Sequence, residues 1–171
     1  MSAPESQQQK QPTASPSPSQ SPPSNQPRRN LLSHISFGVR SYPISKAFYT
    51  AALQPLGASL VYDDPARKIL GYGFDADHDH EELTIFESGD EARAPGPGTH
   101  FAFRAPSREC VRRFWEMGIK HGGTGDGAPG VRARYGERYF AAFVLDPDGF
   151  KLEAVFQGEG EGEGEGEGGT E

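Results

Sequence analysis

Two histidines and one carboxylate carry the strongest chemical signal in this chain. His34 lies in the run Leu31-Leu32-Ser33-His34-Ile35-Ser36-Phe37-Gly38-Val39, and His100 in Gly98-Thr99-His100-Phe101-Ala102-Phe103. Glu153 lies in Lys151-Leu152-Glu153-Ala154-Val155, just after the turn signal Asp146-Pro147-Asp148-Gly149. Each sits in a segment that reads as a β-strand, where alternate residues face the same side. His34 then shares a face with Ser36 and Gly38, opposite Ile35, Phe37 and Val39. His100 opposes Phe101 and Phe103, and Glu153 alternates with Leu152 and Ala154. The apolar sides suit a helix-covered face, which leaves all three polar groups on the other. A polar group on an interior sheet face costs free energy unless it is paired. A shared divalent cation is one way to pair two imidazoles and a carboxylate, and such an ion acts on substrate oxygens as a Lewis acid.

The elements that would position these groups repeat. The first copy reads as a strand over 32–39, a helix over 44–53 behind Pro43, then strands over 58–62, 69–74 and 82–86. The second reads as a strand over 100–104 and a helix from Ser107, a plausible N-cap, to about His121. Strands over 131–135, 139–145 and 151–156 follow. Each half is strand–helix–strand–strand–strand, and Ala94-Pro95-Gly96-Pro97-Gly98 links them. His34 and His100 occupy matching places, as do Glu82 and Glu153 within a residue of register.

Composition limits the foldable part to one domain. Residues 1–30 are rich in Ser, Pro and Gln, and 158–171 is an alternating Gly-Glu tract; both are expected to be disordered for want of apolar residues. The tail carries −6 and the first 30 residues +2, which leaves −3 for the remainder of a chain of net charge −7. That balance offers no basic footprint for nucleic acid. Arg108, Arg112 and Arg113 read as a solvated helix face, and Trp115 as helix packing. Cys110 is the only cysteine, so no disulfide forms within one chain and a thiolate metal site is not expected. No apolar run is long enough for a membrane span and no leader signal is present, which gives a cytoplasmic location as the expectation.

Several of these residues match one family. The segments Leu32–Val39, Ala47-Phe48-Tyr49, Leu56-Gly57, Pro97–Phe103 and Phe143–Gly149 with Leu152-Glu153-Ala154-Val155 resemble the vicinal oxygen chelate superfamily. This is the glyoxalase/bleomycin-resistance/extradiol-dioxygenase family, and the resemblance spans 31–157. It implies an α+β fold of two βαβββ modules, here 31–87 and 98–157, whose mixed sheets curl into a cup. It also implies a metal set of His34, Glu82, His100 and Glu153, holding zinc, nickel, cobalt, manganese or iron. Glu153, with Glu82, is then the catalytic base of a glyoxalase-like lyase or isomerase acting on a small oxygenated substrate. The alternatives are a metal-free small-molecule binder of the resistance type, with Phe86, Tyr135 and Phe150 as aromatic contacts, and an iron-dependent extradiol dioxygenase. A homodimer is the expected assembly.

The chain departs from the family where relatives carry histidines before Phe140. Here stands Arg134-Tyr135-Gly136-Glu137-Arg138, in which Arg134 or Arg138 suits an anionic group and Tyr135 a hydrogen bond; a solvated hairpin is the plainer reading. Phe86, Arg134 and Tyr135 are the substrate-binding candidates. No glutathione-binding set is recognisable. His78 and His80, in Asp75–Glu81, read as a solvated acidic turn.

Overall fold

The computed structural model describes residues 32–74 and 81–158. The N-terminal segment through residue 31, the stretch 75–80 with His78 and His80, and the tail from 159 lie outside the described residues.

The duplication is present element by element. The first module runs β1 (Ile35–Val39), α1 (Tyr42–Leu53), β2 (Ser59–Asp64), β3 (Ile69–Gly73) and β4 (Leu83–Glu87). The second runs β5 (Phe101–Arg104), α2 (Arg108–Lys120), β6 (Thr124–Val131), β7 (Phe140–Leu145) and β8 (Lys151–Phe156). The sheets have orders β1-β4-β3-β2 and β5-β8-β7-β6. In each, the first and last strands are parallel and the other pairs antiparallel. The fold is α+β, as expected. The two sheets are separately hydrogen-bonded and open, rather than one continuous cup.

The helices begin where their first turns are satisfied. Pro43 sits in the first turn of α1, where its missing N–H removes no intrahelical bond. Ser107 caps α2, its Oγ accepting from Cys110 N at 3.1 Å. Five strands, β1, β2, β4, β5 and β7, start a residue or more later than the alternation predicts. His34, Glu82 and His100 stand immediately before β1, β4 and β5 rather than inside them. The ladder still reaches Glu82, which accepts from Ile35 N and donates its own N–H to Tyr72 O, both at 2.9 Å.

The strand expected over 131–135 is a correction. The true edge strand, β6, is Thr124-Gly-Asp-Gly-Ala-Pro-Gly-Val131, and Ala133–Tyr135 forms a 3-10 turn. Glycine and proline disguise β6 as a loop. It is an edge strand with register shifts between Gly125 and Gly127 and between Gly127 and Gly130, where proline and glycine are tolerated.

Both modules bury one face in a single core. Phe37, Val39, Leu70, Tyr72, Leu83 and Ile85 come from the first sheet, and Phe140, Ala142, Val144, Leu152 and Ala154 from the second. Phe37 stacks on Phe150 and Phe101 across the seam, with ring centroids 4.5 and 5.3 Å apart. Phe48 of α1 fills the space over Gly123, where an added Cβ would lie 2.7 Å from its ring. The same helix sends Tyr49 OH to Asp146 Oδ2 at 2.6 Å, in the β7–β8 turn. Asp146 is buried and also accepts from Phe150 N at 2.8 Å and Asp148 N at 2.9 Å. Burial pushes its pKa up, opposed by these donors.

Tyr49→Phe deletes the donor and leaves the buried Asp146 oxygen without its side-chain partner. The expected loss is about 1–2 kcal/mol in urea denaturation, with an unchanged m-value.

Candidate functional site

The side chains at β5, β7 and β8 alternate between the core and an open face. Leu152 and Ala154 point into the core, so Glu153 between them points the other way. Strand register places Glu153 opposite Ala102 on one side and Phe143 on the other. His100 has the parity of Ala102, so it reaches the same face, and its Nε2 lies 3.0 Å from Glu153 Oε2. Tyr139, with the parity of Phe143, donates its OH to Glu153 Oε1 at 2.7 Å.

Glu153 is therefore an unusual carboxylate. It is 1 % exposed, yet both its oxygens have partners. A carboxylate so far from water is tolerated only when it is hydrogen-bonded or paired. His100 is the open side of the pair, with 41 % of its side chain exposed against 2 % for Glu153. Its ring also meets Phe143 edge-on at 6.2 Å. Burial first, then the Glu153 hydrogen bond and charge, push the Tyr139 phenol up to about 12.

A ladder of rings leads outward from this carboxylate. Tyr139 packs against Tyr135 at 5.1 Å, and the Arg134 guanidinium lies 5.2 Å over the Tyr135 ring. Tyr135 is 58 % exposed, so it forms a projecting wall beside the Glu153 face. On the other flank, Phe143 carries the Arg132 guanidinium at 5.4 Å and Lys151 Nζ at 4.7 Å.

The first module shows a weaker counterpart. Leu83 and Ile85 enter the core, so Glu82, Thr84 and Phe86 share the open face. The parallel register that pairs Ile35 with Leu83 sets His34 beside Glu82 at the strand heads. Both are exposed. Glu81 packs against Gly71 instead. Phe86 is 40 % exposed and leans over Gly38.

The predicted set is thus brought together by halves: His100 with Glu153 in contact, and His34 with Glu82 as register neighbours. Among the described residues no three His, Cys, Asp or Glu side chains converge on a point that could hold a metal ion. The donor chemistry of His100 and Glu153 fits one side of a cation site. Two donors each ~2.1 Å from one ion at a right angle lie ~3 Å apart, the separation seen here. Two cavities, of about 360 and 550 Å³, lie elsewhere: one at the Phe37–Phe101–Phe150 seam, the other along α1 beside His121.

Sequence reasoning missed Tyr139, Phe143, Arg132 and Lys151. The period-two alternation of Tyr139, Ala141 and Phe143 carried the signal for the first two. Nothing in the residue pattern placed Arg132, because its strand was itself hidden.

Tyr139 supplies a test of this geometry. Its folded pKa lies above the ordinary 10.0, so the stability it brings is complete below about pH 10 and is lost as pH rises through 12. In a phenolate absorbance titration Tyr139 is expected to ionise late. Glu153→Gln should shift that transition to lower pH, because the carboxylate charge disappears while an amide oxygen remains as the acceptor; an unshifted transition would show that Tyr139 does not face the carboxylate in solution.

Comparison with known proteins agrees with this architecture. Residues 31–154 match the family model described as the Glyoxalase/Bleomycin resistance protein/Dioxygenase superfamily. Among solved structures, a glyoxalase/bleomycin resistance protein from Albidiferax ferrireducens is 30 % identical with a TM-score of 0.60, over 74 % of this chain and 98 % of that one. Glyoxalase I from Zea mays is 23 % identical with a TM-score of 0.56, over 75 % of this chain and 45 % of that one. A genomically encoded fosfomycin resistance protein from Listeria monocytogenes is 19 % identical with a TM-score of 0.53, over 74 % and 93 %. The last two show likeness of fold alone. No curated protein matches the chain. No helix among the described residues is long and apolar enough to cross a membrane. The matching strand–helix–strand–strand–strand modules and the match over 31–154 establish that this chain belongs to the Glyoxalase/Bleomycin resistance protein/Dioxygenase superfamily.

Proposed function

We propose that the protein is a glyoxalase-like lyase or isomerase that abstracts a proton from a small oxygenated substrate, with Glu153 as the base. One observation carries this reading: a carboxylate 1 % exposed, held at Oε1 by Tyr139 and facing His100 at Oε2. A base of this kind typically contributes 10²–10⁴-fold to the rate. Tyr139 holds Oε1, and Oε2, on the His100 side, is the oxygen that takes the proton when the His100 ring yields its place to substrate. His100, half exposed, is the edge over which substrate reaches it. Tyr135 and Arg134 wall the approach, and Phe86 serves the face of the other module.

His100 and Glu153, joined by His34 and Glu82 from a second copy of the chain, are the proposed ligands of one divalent ion. That ion, when bound, polarises the substrate oxygens as a Lewis acid. The motive for a homodimer is that each module offers one His–Glu pair, and one chain does not bring the pairs together. Glu82 is then the alternative carboxylate for proton transfer.

A second reading is a metal-free small-molecule binder. Both Glu153 oxygens are already satisfied by groups of the same chain, so an ion is not needed to pay for its burial.

Metal analysis with size-exclusion chromatography separates the two. The enzyme reading expects a dimer retaining a stoichiometric zinc, nickel, cobalt, manganese or iron ion, lost in both His34→Ala and His100→Ala. It also expects solvent-deuterium exchange into a small α-hydroxy ketone, reduced at least 100-fold in Glu153→Gln. A monomer that retains no ion and catalyses no exchange, yet is thermally stabilised by small ligands, would favour the binder.

A further inference from the structure

Arg132 is placed for a task that the general base does not explain. Its guanidinium lies over Phe143, which is the direct cross-strand partner of Glu153, so the cation and the carboxylate flank the same patch of open face. The backbone ties it to the same assembly, because Arg132 N donates to Tyr139 O at 2.7 Å. Its Nη2 donates to Ala128 O at 2.7 Å, fixing the fork in position. Its Nε is buried without a partner. Among the described residues no carboxylate pairs with Arg132. Lys151, which also lies over Phe143, does have one, in Asp126 at 2.6 Å.

Room for this arrangement is made in the strand opposite. Gly127 pairs with Phe143 at a bulge of β6. A Cβ at Gly127 would lie 2.9 Å from the Phe143 ring and 3.2 Å from Arg132 Nη2. The glycine-rich irregularity of β6 thus lets a guanidinium sit over the ring of the residue that pairs with Glu153. A planar guanidinium with free N–H groups recognises carboxylate, phosphonate and phosphate oxygens. Held on an aromatic ring without an ion-pair partner among the described residues, the guanidinium keeps its charge available at the site.

We propose that Arg132 is the subsite for an anionic group of the substrate, which makes the substrate a small molecule bearing a carboxylate, phosphonate or phosphate next to the carbon that Glu153 deprotonates. This rests on the reading of Glu153 as the base, but the two can fail separately. The competing role for Arg132 is to brace the β6 bulge.

The experiment titrates the full-length protein with phosphonoacetate and, in parallel, with neutral hydroxyacetone, following backbone amide resonances. Phosphonoacetate should perturb residues around Arg132, Phe143 and Tyr139 saturably, with an apparent Kd raised at least tenfold in Arg132→Gln and less in Arg132→Lys. Hydroxyacetone should be indifferent to either change. Glu153→Gln should retain the anion binding while losing deuterium exchange; retained anion binding with no exchange in the wild type would sink the base assignment and leave the subsite standing. Should Arg132→Gln fail to fold, peptide mapping after phenylglyoxal treatment of the wild type decides: phosphonoacetate protects Arg132 if the proposal holds. Equal affinity in wild type and Arg132→Gln, perturbations scattered over unrelated cations, or no protection of Arg132 would each overturn it.

Discussion

The two modules have one core between them, and that sharing is the constraint on which everything else hangs. A four-stranded sheet with a single helix covers only one of its faces, and each helix here leans on the other module as well. Phe48 of α1 fills the space over Gly123, and Tyr49 hydrogen-bonds Asp146 at the β7–β8 turn. Phe37 completes an aromatic stack with Phe101 and Phe150. Full burial of a ring of this size is worth roughly 1.5–3 kcal/mol. The seam is therefore a substantial part of a stability that amounts to only ~5–15 kcal/mol for a typical domain.

Committing one sheet face to that core decides what the opposite face can be. Period-two alternation forces Glu153 away from Leu152 and Ala154 and towards Tyr139, His100 and Phe143. The cost of keeping a carboxylate 1 % exposed is met by a phenol and an imidazole of the same module. Tyr139 and His100 each stand one residue before their strand, and the arrangement is more open on the His100 side, where 41 % of the side chain is exposed. The carboxylate is held at both oxygens, and Oε2 becomes reachable only where the half-exposed His100 ring gives way.

Much of this was legible in the residues, for identifiable reasons. Apolar alternation and helical spacing are strong in Ile35–Val39, Phe101–Arg104, Lys151–Phe156 and both helices, so the duplicated order could be read directly. The face on which His100 and Glu153 lie followed from the same alternation. What alternation does not encode is distance between modules, which is why His34 and Glu82 were legible as equivalents of His100 and Glu153 but not as their neighbours or otherwise. The β6 strand was illegible because its Gly and Pro residues are signals for loops, and only pairing with β7 overrides them. Losing β6 also hid Arg132, whose position depends on the bulge at Gly127.

The asymmetry between the halves is the more informative departure from the repeat. Equivalent positions carry His and Glu in both modules, but only the second has built a shell around its pair. Glu82 and His34 remain exposed at the heads of their strands, whereas Glu153 is enclosed by Tyr139 and flanked by Phe143 with its two cations. Enclosure strengthens electrostatic interactions, because fewer water dipoles screen them. On the proposed reading, the enclosed Glu153 and the exposed Glu82 therefore take two unequal roles on the duplicated scaffold. The second module supplies the enclosed His–Glu pair and its surroundings. The first supplies the other half of the core and, at the heads of its strands, the exposed side chains of Glu82 and His34.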